Sequence, residues 1–479
     1  MVHTNPIVFL RPSMSTLQNF LSSFFSYKAY VMLPIIIWLI ALAVRVPFKR
    51  SLTSTLQLAV GFTGVFIAFN FFVSNISPAV NALSQARGLN FPVLDVGWLP
   101  LAAITWASPL AAISIPLILL LNGVLLMAGL TRTLYIDIWN FWHFAFLGAL
   151  VMAVSGSMVL GLSATLLVAA YCFKLAEWTA HDVEREMGLK GISVSPVSVN
   201  GIAPYIACAD WLFDRIPVLK NINYNPEQSS RLRGQKKVEG DEAVMNHGSL
   251  LDLLGEPMVI GFVMGLALAL AAGYGIKETL ELSVHIAAVM FLLPKSGGLI
   301  GEAMMPVMTA LRQQVEKRFP QHSNLVVAMD TGFLMHHKSV VVTGLFLMAI
   351  AIGIALVLPG NKVLPLGDLP NLLSIMSLSV LMFRGNVFRA VLAGIPVIVT
   401  FLLISSHMAP LFTDLARKTP SFNSEGLGLI TAFTDGGHLV RFLVFEAYQA
   451  NVWAWGGLLL IGAALVFTRH RYKTAFTLK

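Results

Sequence analysis

Apolar runs too long for a soluble core recur along this chain, as at residues 31–44 and 341–358, where scarcely a polar side chain intervenes. A helix of about 20 apolar residues, at 1.5 Å each, matches the ~30 Å hydrocarbon core of a bilayer. The runs are continuous, so the two-residue alternation of an outer-membrane barrel strand is missing. Only 12% of the 479 residues are charged and 56% are apolar, about half the charge of an ordinary soluble protein. At about 20 residues per span, at most about thirteen spans fit, and loops lower that figure. The expected fold is an all-α polytopic membrane protein of about 10–12 transmembrane helices. A soluble enzyme and a nucleic-acid binder are excluded.

Long spans are predicted at 29–46, 55–75, 110–130, 158–173, 257–276, 279–294, 339–358, 390–409 and 453–468. Other apolar pieces are short or broken. Segment 101–109 follows Pro100 and contains Pro109, 143–157 ends in Ser155-Gly156-Ser157, and 371–383 is half a membrane thick. Such pieces suit re-entrant hairpins, whose irregular backbone is tolerated where protein shields it from lipid. The net charge of +8 reports topology: Arg45, Lys49 and Arg50 crowd the first loop, and Arg469, Arg471, Lys473 and Lys479 crowd the tail. The positive-inside rule makes both cytoplasmic and the N-terminus external. Residues 1–28 read as an interfacial extension that is not a removed signal. Two transmembrane halves, 29–217 and 257–470, flank a polar cytoplasmic loop at 218–256, and 471–479 form a cytoplasmic tail. Cys172 and Cys208 lie in apolar stretches without CxxC spacing, so neither a disulfide framework nor a metal site is expected. No cofactor is implied.

Two places share a pattern, Leu94-Asp95-Val96-Gly97-Trp98-Leu99 and Met329-Asp330-Thr331-Gly332-Phe333-Leu334. A second pair, Val60-Gly61-Phe62 and Ile260-Gly261-Phe262, recurs at a different separation. Together they point to a duplicated unit, and broken segments in corresponding halves mark a transporter's binding site. An ionisable group at membrane depth costs about 2.5–3.5 kcal/mol, so each one needs a reason. Asp95, Asp137, His143, Glu256, Asp330, His336, His337, Asp368, Arg384 and Arg389 are the candidates. Helix capping accounts for Asp137, Asp368 and Glu256, and anchoring of helix ends accounts for Arg384 and Arg389. Asp330, His337 and His143 are harder to dismiss. A polyol needs carboxylate acceptors, imidazoles and an aromatic wall, and Trp98, Trp106, Trp139 and Trp142 supply the wall unless they form an interfacial belt. If the segment is helical, Asp330 and His337, two turns apart, share one face. Alternatively Asp330 caps the following helix.

The segments Thr105-Trp106-Ala107-Ser108, Asp137-Ile138-Trp139-Asn140-x-Trp142-His143, Gly261 to Leu266, Asp330 to His337, Pro359 to Leu369 and Gly385-Asn386-x-x-Arg389 resemble the galactitol-type enzyme IIC family. These are membrane permease subunits of the phosphoenolpyruvate-dependent sugar phosphotransferase system, distantly related to the ascorbate enzyme IIC. The resemblance implies an inner-membrane homodimer with a dimerising scaffold and a mobile core that works as an inverted-repeat elevator. It places the relative's aromatic on Trp106, its first-half histidine on His143 and its second-half aspartate on Asp330. Galactitol members read Ile-Pro-His-Gly where this chain reads Val194-Ser195-Pro196-Val197. The expected histidine is absent, and Ser195 joins Asp330, His337, His143, Trp106 and Asp95 in the candidate substrate set.

The implied function is group translocation of galactitol or a related polyol: the core carries it inward, and the phosphocysteine of a separate enzyme IIB, itself charged by enzyme IIA, phosphorylates it with Asp330 as base. Neither cysteine of this chain precedes the Gly/Ser-rich anion cradle of a phosphocarrier. The rival is an ion-coupled secondary transporter in which Asp95 and Asp330 bind sodium or protons. A membrane-embedded enzyme is the weaker reading, since no metal-ligand cluster such as HExxH appears.

Overall fold

The computed structural model describes residues 27, 29–87, 91–228, 257–318, 325–334, 337–418 and 428–477. Glu256, His336, nearly all of the 1–28 extension and the 229–256 part of the polar loop lie outside the described residues.

The first half opens with α1 (Ala29–Ala43) and α2 (Phe48–Arg87), then β1 (Val93–Asp95), α3 (Trp98–Ala107), α4 (Pro109–Met127), β2 (Thr133–Leu134), a 3-10 turn (Ile138–Phe141), α5 (Trp142–Ser155), α6 (Met158–Met187), β3 (Ile192–Val194), α7 (Val197–Asn200), α8 (Ala203–Phe213) and α9 (Pro217–Asn221). The second half repeats the order with α10 (Pro257–Ala271), α11 (Ile276–Arg318), β4 (Val326–Met329), a 3-10 turn (Thr331–Leu334), α12 (Lys338–Val357), β5 (Val363–Leu364), a 3-10 turn (Leu369–Asn371), α13 (Leu372–Met382), α14 (Val387–Arg417), β6 (Leu429–Thr431), α15 (Phe433–Gly436), α16 (Leu439–Tyr448) and α17 (Val452–Thr477). Every predicted span meets a helix. Among the described residues six helical stretches are long and apolar enough to cross a membrane: Pro109–Met127, Ile138–Ser155, Met158–Met187, Lys338–Val357, Val387–Arg417 and Val452–Tyr472. The protein is an all-α polytopic membrane protein.

Local chemistry sets the breaks. Ser108 caps α4, its side chain accepting from the Leu110 amide with Pro109 in the first turn, where a missing N–H costs nothing. Gly156 closes α5 in the left-handed region at φ 66, which a side chain would disfavour. Ser157 caps α6 by accepting from the Leu160 amide, so the Ser-Gly-Ser punctuation becomes a tight reversal between two packed helices. Two helices run longer than their spans: α2 has 40 residues and α11 has 43, about 60 Å or more at 1.5 Å per residue. They pack along each other, flanked by α1 and α10. A Cβ on Gly61 would sit 2.8 Å from the Ile300 side chain and one on Gly261 2.8 Å from the Ala287 Cα, so glycines permit close helix crossings. The Val-Gly-Phe echo thus has a packing cause. Gly61 lies on the second helix of its half and Gly261 on the first of its half, so this pair does not mark the duplication.

The Leu/Met-Asp-x-Gly echo does. Six short strands, absent from the sequence reading, form two parallel three-stranded sheets in the orders β5-β1-β6 and β2-β4-β3. Each half's first strand is the centre of the other half's sheet: β1 pairs with β5 and β6, β4 with β2 and β3. The halves are therefore interlocked, and Asp95, which ends β1, and Asp330, which follows β4, are each delivered into the opposite half. Pairing also satisfies backbone groups that lipid could not.

Candidate functional site

The centre around Asp330 begins where β4 ends. Asp330 Oδ1 accepts from the Gly332 amide at 3.2 Å, an Asx-type turn, and Oδ2 accepts from Asn140 Nδ2 at 3.0 Å. Asn140, at the end of the Asp137-x-x-Asn turn, also points Nδ2 at Asp137 Oδ2 (2.7 Å) and Ser195 Oγ (3.0 Å), and Ser195 Oγ donates to Asp137 Oδ2 at 2.6 Å. Ser195 is held by its own amide, which donates to the Met329 carbonyl at 2.7 Å, and by the Tyr135 hydroxyl, which donates to the Ser195 carbonyl. An amide nitrogen has two hydrogens, too few for three oxygens at once. Asp137, Asn140 and Ser195 are buried, whereas Asp330 is exposed, so Asp330 keeps spare acceptor capacity.

The equivalent centre in the other half is closed. Asp95 is 2% exposed; its Oδ1 accepts from the Gly97 and Phe433 amides (3.2 and 3.0 Å) and its Oδ2 from the Asp368 amide at 2.8 Å. Gly97, at φ 79, approaches the Gly367 carbonyl so closely that a Cβ would lie 3.0 Å from it. Asp368 Oδ1 accepts from the Trp98 amide at 3.2 Å, and Oδ2 accepts from the amide (3.0 Å) and hydroxyl of Thr434. Asn371 Nδ2 donates to Thr434 Oγ1 at 2.8 Å and approaches Asp435 Oδ2 at 3.4 Å. The two networks correspond in part, Asp137-x-x-Asn140 and Ser195 with Asp368-x-x-Asn371 and Thr434, but Asn140 reaches Asp330 whereas Asn371 reaches Thr434 and Asp435 and leaves Asp95 to backbone amides.

His143 joins the halves. Its Nδ1 lies 3.1 Å from Asp435 Oδ1, close enough to interact but without hydrogen-bond geometry. Asp435 Oδ1 also accepts from Arg441 Nη2 at 2.7 Å. Beside it the tryptophans form a continuous wall: Trp142 stacks on His143 with centroids 3.9 Å apart, Trp98 on Trp142 at 5.8 Å, and Trp106 on Trp139 at 6.4 Å, with Trp98 edge-on to Trp139 at 6.1 Å. Phe62 of α2 closes on Trp139 at 4.3 Å. Trp106 and Trp142 are buried, so this is no interfacial belt, and Trp106 Nε1 has no hydrogen-bond partner among the described residues.

Three expectations change. Asp330 and His337 do not share a helix: residues 331–334 form a 3-10 turn, and His337 is the buried N-cap residue of α12. Asp137 and Asp368 occupy N-cap positions, yet neither side chain caps its own turn, because the Asn140 side chain and the Ser195 hydroxyl claim Asp137 Oδ2 and the Trp98 amide and Thr434 claim the oxygens of Asp368. Arg389 does anchor a helix end, pairing with Asp210 and Asp214 at 2.8 and 2.9 Å. Sequence reasoning missed Asn140, Asn371, Asp435 and Arg441; the Asp-x-x-Asn pattern, present once in each half, was the available signal. Among the described residues no group of three His, Cys, Asp or Glu side chains converges as a metal site.

Comparison with known proteins places residues 23–426 in the family described as the phosphotransferase system sugar-specific permease component. The chain is 30% identical over 434 residues to the galactitol-specific enzyme IIC component of Escherichia coli K12, covering 90% of this chain and 91% of that protein. It is 32% identical over 388 residues to a putative permease IIC component of the same organism, covering 81% and 84% respectively.

Proposed function

The chain belongs to the family of sugar-specific permease components of the phosphotransferase system, and from that premise we propose that it carries galactitol or a closely related polyol through the bacterial inner membrane to a phosphorylated enzyme IIB. A permease of this family is an integral membrane protein with a sugar-type substrate, and it works with IIB and IIA components. The polyol is read from the 30% identity to the galactitol-specific protein and from the hydroxyl-matching chemistry of the site.

The observation that carries the site is the contrast between two equivalent carboxylates. Asp95 is buried under three backbone donors, while Asp330 is exposed and shares one overcommitted amide. Asp330, Asn140, Ser195 and His143 accept and donate to hydroxyls, Trp106 and its neighbours face the C–H surfaces, and His337 at the start of α12 completes the binding set. Asp95 serves by holding the two halves in register. When a substrate hydroxyl oxygen attacks the phosphorus of the IIB phosphocysteine, the S–P bond breaks, the cysteine leaves as thiolate and the hydroxyl proton passes to Asp330. Cys172 is buried and Cys208 is half-buried within α8, which supports a donor on another chain. The long α2 and α11 with α1 and α10 form the dimerising scaffold, the remaining elements form the mobile core, and the tail at 471–479, which begins within the last turns of α17, is cytoplasmic.

Titration calorimetry of galactitol into purified protein tests the site. Parent protein binds, Asp330→Asn and Asn140→Ala lose about tenfold or more, and equal binding by all three refutes it.

A further inference from the structure

We propose that Asp435 and Arg441 are positioning residues that set the tautomer of His143. The inference rests on the reading above that His143 belongs to the substrate site. In a neutral imidazole one nitrogen donates and the other accepts, and the partner of the first decides which. Here the partner is a carboxylate from the other half of the chain: Asp435 Oδ1 lies 3.1 Å from Nδ1. Both side chains are buried, at 4% and 2% exposure. Asp435 is itself fixed, since Arg441 Nη2 donates to its Oδ1 at 2.7 Å and to its backbone carbonyl at 2.6 Å. Arg441 has no freedom to swing away, being 3% exposed with its guanidinium carbon 5.5 Å from the centroid of the Phe146 ring. His438 starts the same helix, its Nδ1 accepting from the Arg441 amide at 3.4 Å.

An acceptor facing Nδ1 keeps the proton there and leaves Nε2 as a lone pair, so His143 meets the polyol as a hydrogen-bond acceptor. The contact between Nδ1 and Oδ1 lacks hydrogen-bond geometry without substrate, and such contacts tighten when substrate fills a site. The pairing also explains why a carboxylate and a guanidinium are retained in an apolar helix bundle: each neutralises the other, and together they define one ring orientation. Because Asp435 also receives Asn371 from the closed centre at 3.4 Å, the ring that faces substrate is braced by the centre that does not bind it.

The test reads the tautomer directly. In protein labelled with ¹⁵N histidine, the His143 signals are identified by their loss in His143→Gln. In substrate-free parent protein they show a protonated Nδ1 and a bare Nε2. Asp435→Asn is expected to shift the ring toward the Nε2–H form and to weaken galactitol binding about tenfold, with thermal unfolding still cooperative. Removing one charge strands the other, so the double variant Asp435→Asn/Arg441→Gln is measured alongside, and Arg441→Lys is expected to restore most of the parent tautomer. An unchanged parent tautomer in Asp435→Asn, or in the double variant where the single does not fold, overturns the proposal. Normal galactitol binding by His143→Gln instead refutes the placement of His143 in the site, and the proposal falls with it. The tautomer is read without substrate, which keeps these two failures distinct.

Discussion

Replacing Asp330 and Asp95 by asparagine, one at a time, has opposite consequences although the two residues are copies in a duplicated pattern. Asparagine at 330 keeps an oxygen for the Gly332 amide. Although its NH₂ then faces Asn140 Nδ2, Asn140 retains Asp137 and Ser195 as acceptors and position 330 is exposed, so the turn after β4 survives and stability changes little. What is lost is the charge that strengthens a bond to a polyol hydroxyl, about 1.5–3 kcal/mol, or roughly tenfold to a hundredfold in Kd. At 95 both oxygens are occupied by buried backbone donors, from Gly97 and Phe433 on one side and Asp368 on the other. An amide in that position turns at least one acceptor into a donor, which leaves a buried N–H and the new NH₂ facing each other. At about 1–3 kcal/mol for each orphaned group, the loss is about 2–6 kcal/mol, a large share of a typical stability of about 5–15 kcal/mol. Thermal unfolding in detergent and galactitol calorimetry on the same samples separate the two: Asp330→Asn unfolds like the parent and binds poorly, and Asp95→Asn unfolds early. An Asp95→Asn protein of parental stability that fails only in binding would refute the division of labour between the two centres.

Three other substitutions follow from the same geometry. Trp106→Phe keeps the ring stacked on Trp139 but removes the buried Nε1–H, and galactitol Kd measured by calorimetry should rise several-fold, by about 0.5–1.5 kcal/mol. In Gly148→Ala the new Cβ would lie 2.1 Å from Thr165 Oγ1 and 2.6 Å from the Gly161 carbonyl, so the α5–α6 crossing must open at about 1–3 kcal/mol, seen as a lower unfolding midpoint. Asn386→Ala removes the cap on the Arg389 amide and the bond from Nδ2 to the Ile222 carbonyl at 2.8 Å, with an expected loss of about 0.5–2 kcal/mol in the same unfolding assay.

What was legible in the sequence was what is local. The apolar runs announced the helices because length and continuity alone decide a span, and Ser155-Gly156-Ser157 announced the reversal before α6 because capping is written in adjacent residues. The turn of Asp330 with Gly332 is shared by Asp95 with Gly97, whereas Asp330 stood out for its carboxylate at membrane depth and its place in the family motif. Asp137 and Asp368 did not, since each also fits a helix start, and the groups that override that role, Ser195 and Thr434, arrive from 58 and 66 residues away. The six strands were invisible because two to four buried residues carry no period to detect and read as more apolar chain. His337 was misplaced on a shared face with Asp330 because the spacing assumed a single α-helix, whereas the chain enters α12 through a 3-10 turn. The two Val/Ile-Gly-Phe copies show the opposite error, a local likeness produced by close packing at topologically different crossings.

Group translocation is tested most directly by the chemical state of labelled galactitol taken up by vesicles that contain this protein alone, this protein with phosphorylated enzyme IIB inside, or this protein under an imposed sodium or proton gradient. The expected result is phosphorylated galactitol retained only where phosphorylated IIB is present, and no accumulation above the external level under either gradient. Uphill accumulation of unmodified galactitol driven by a gradient, without enzyme IIB, would contradict it.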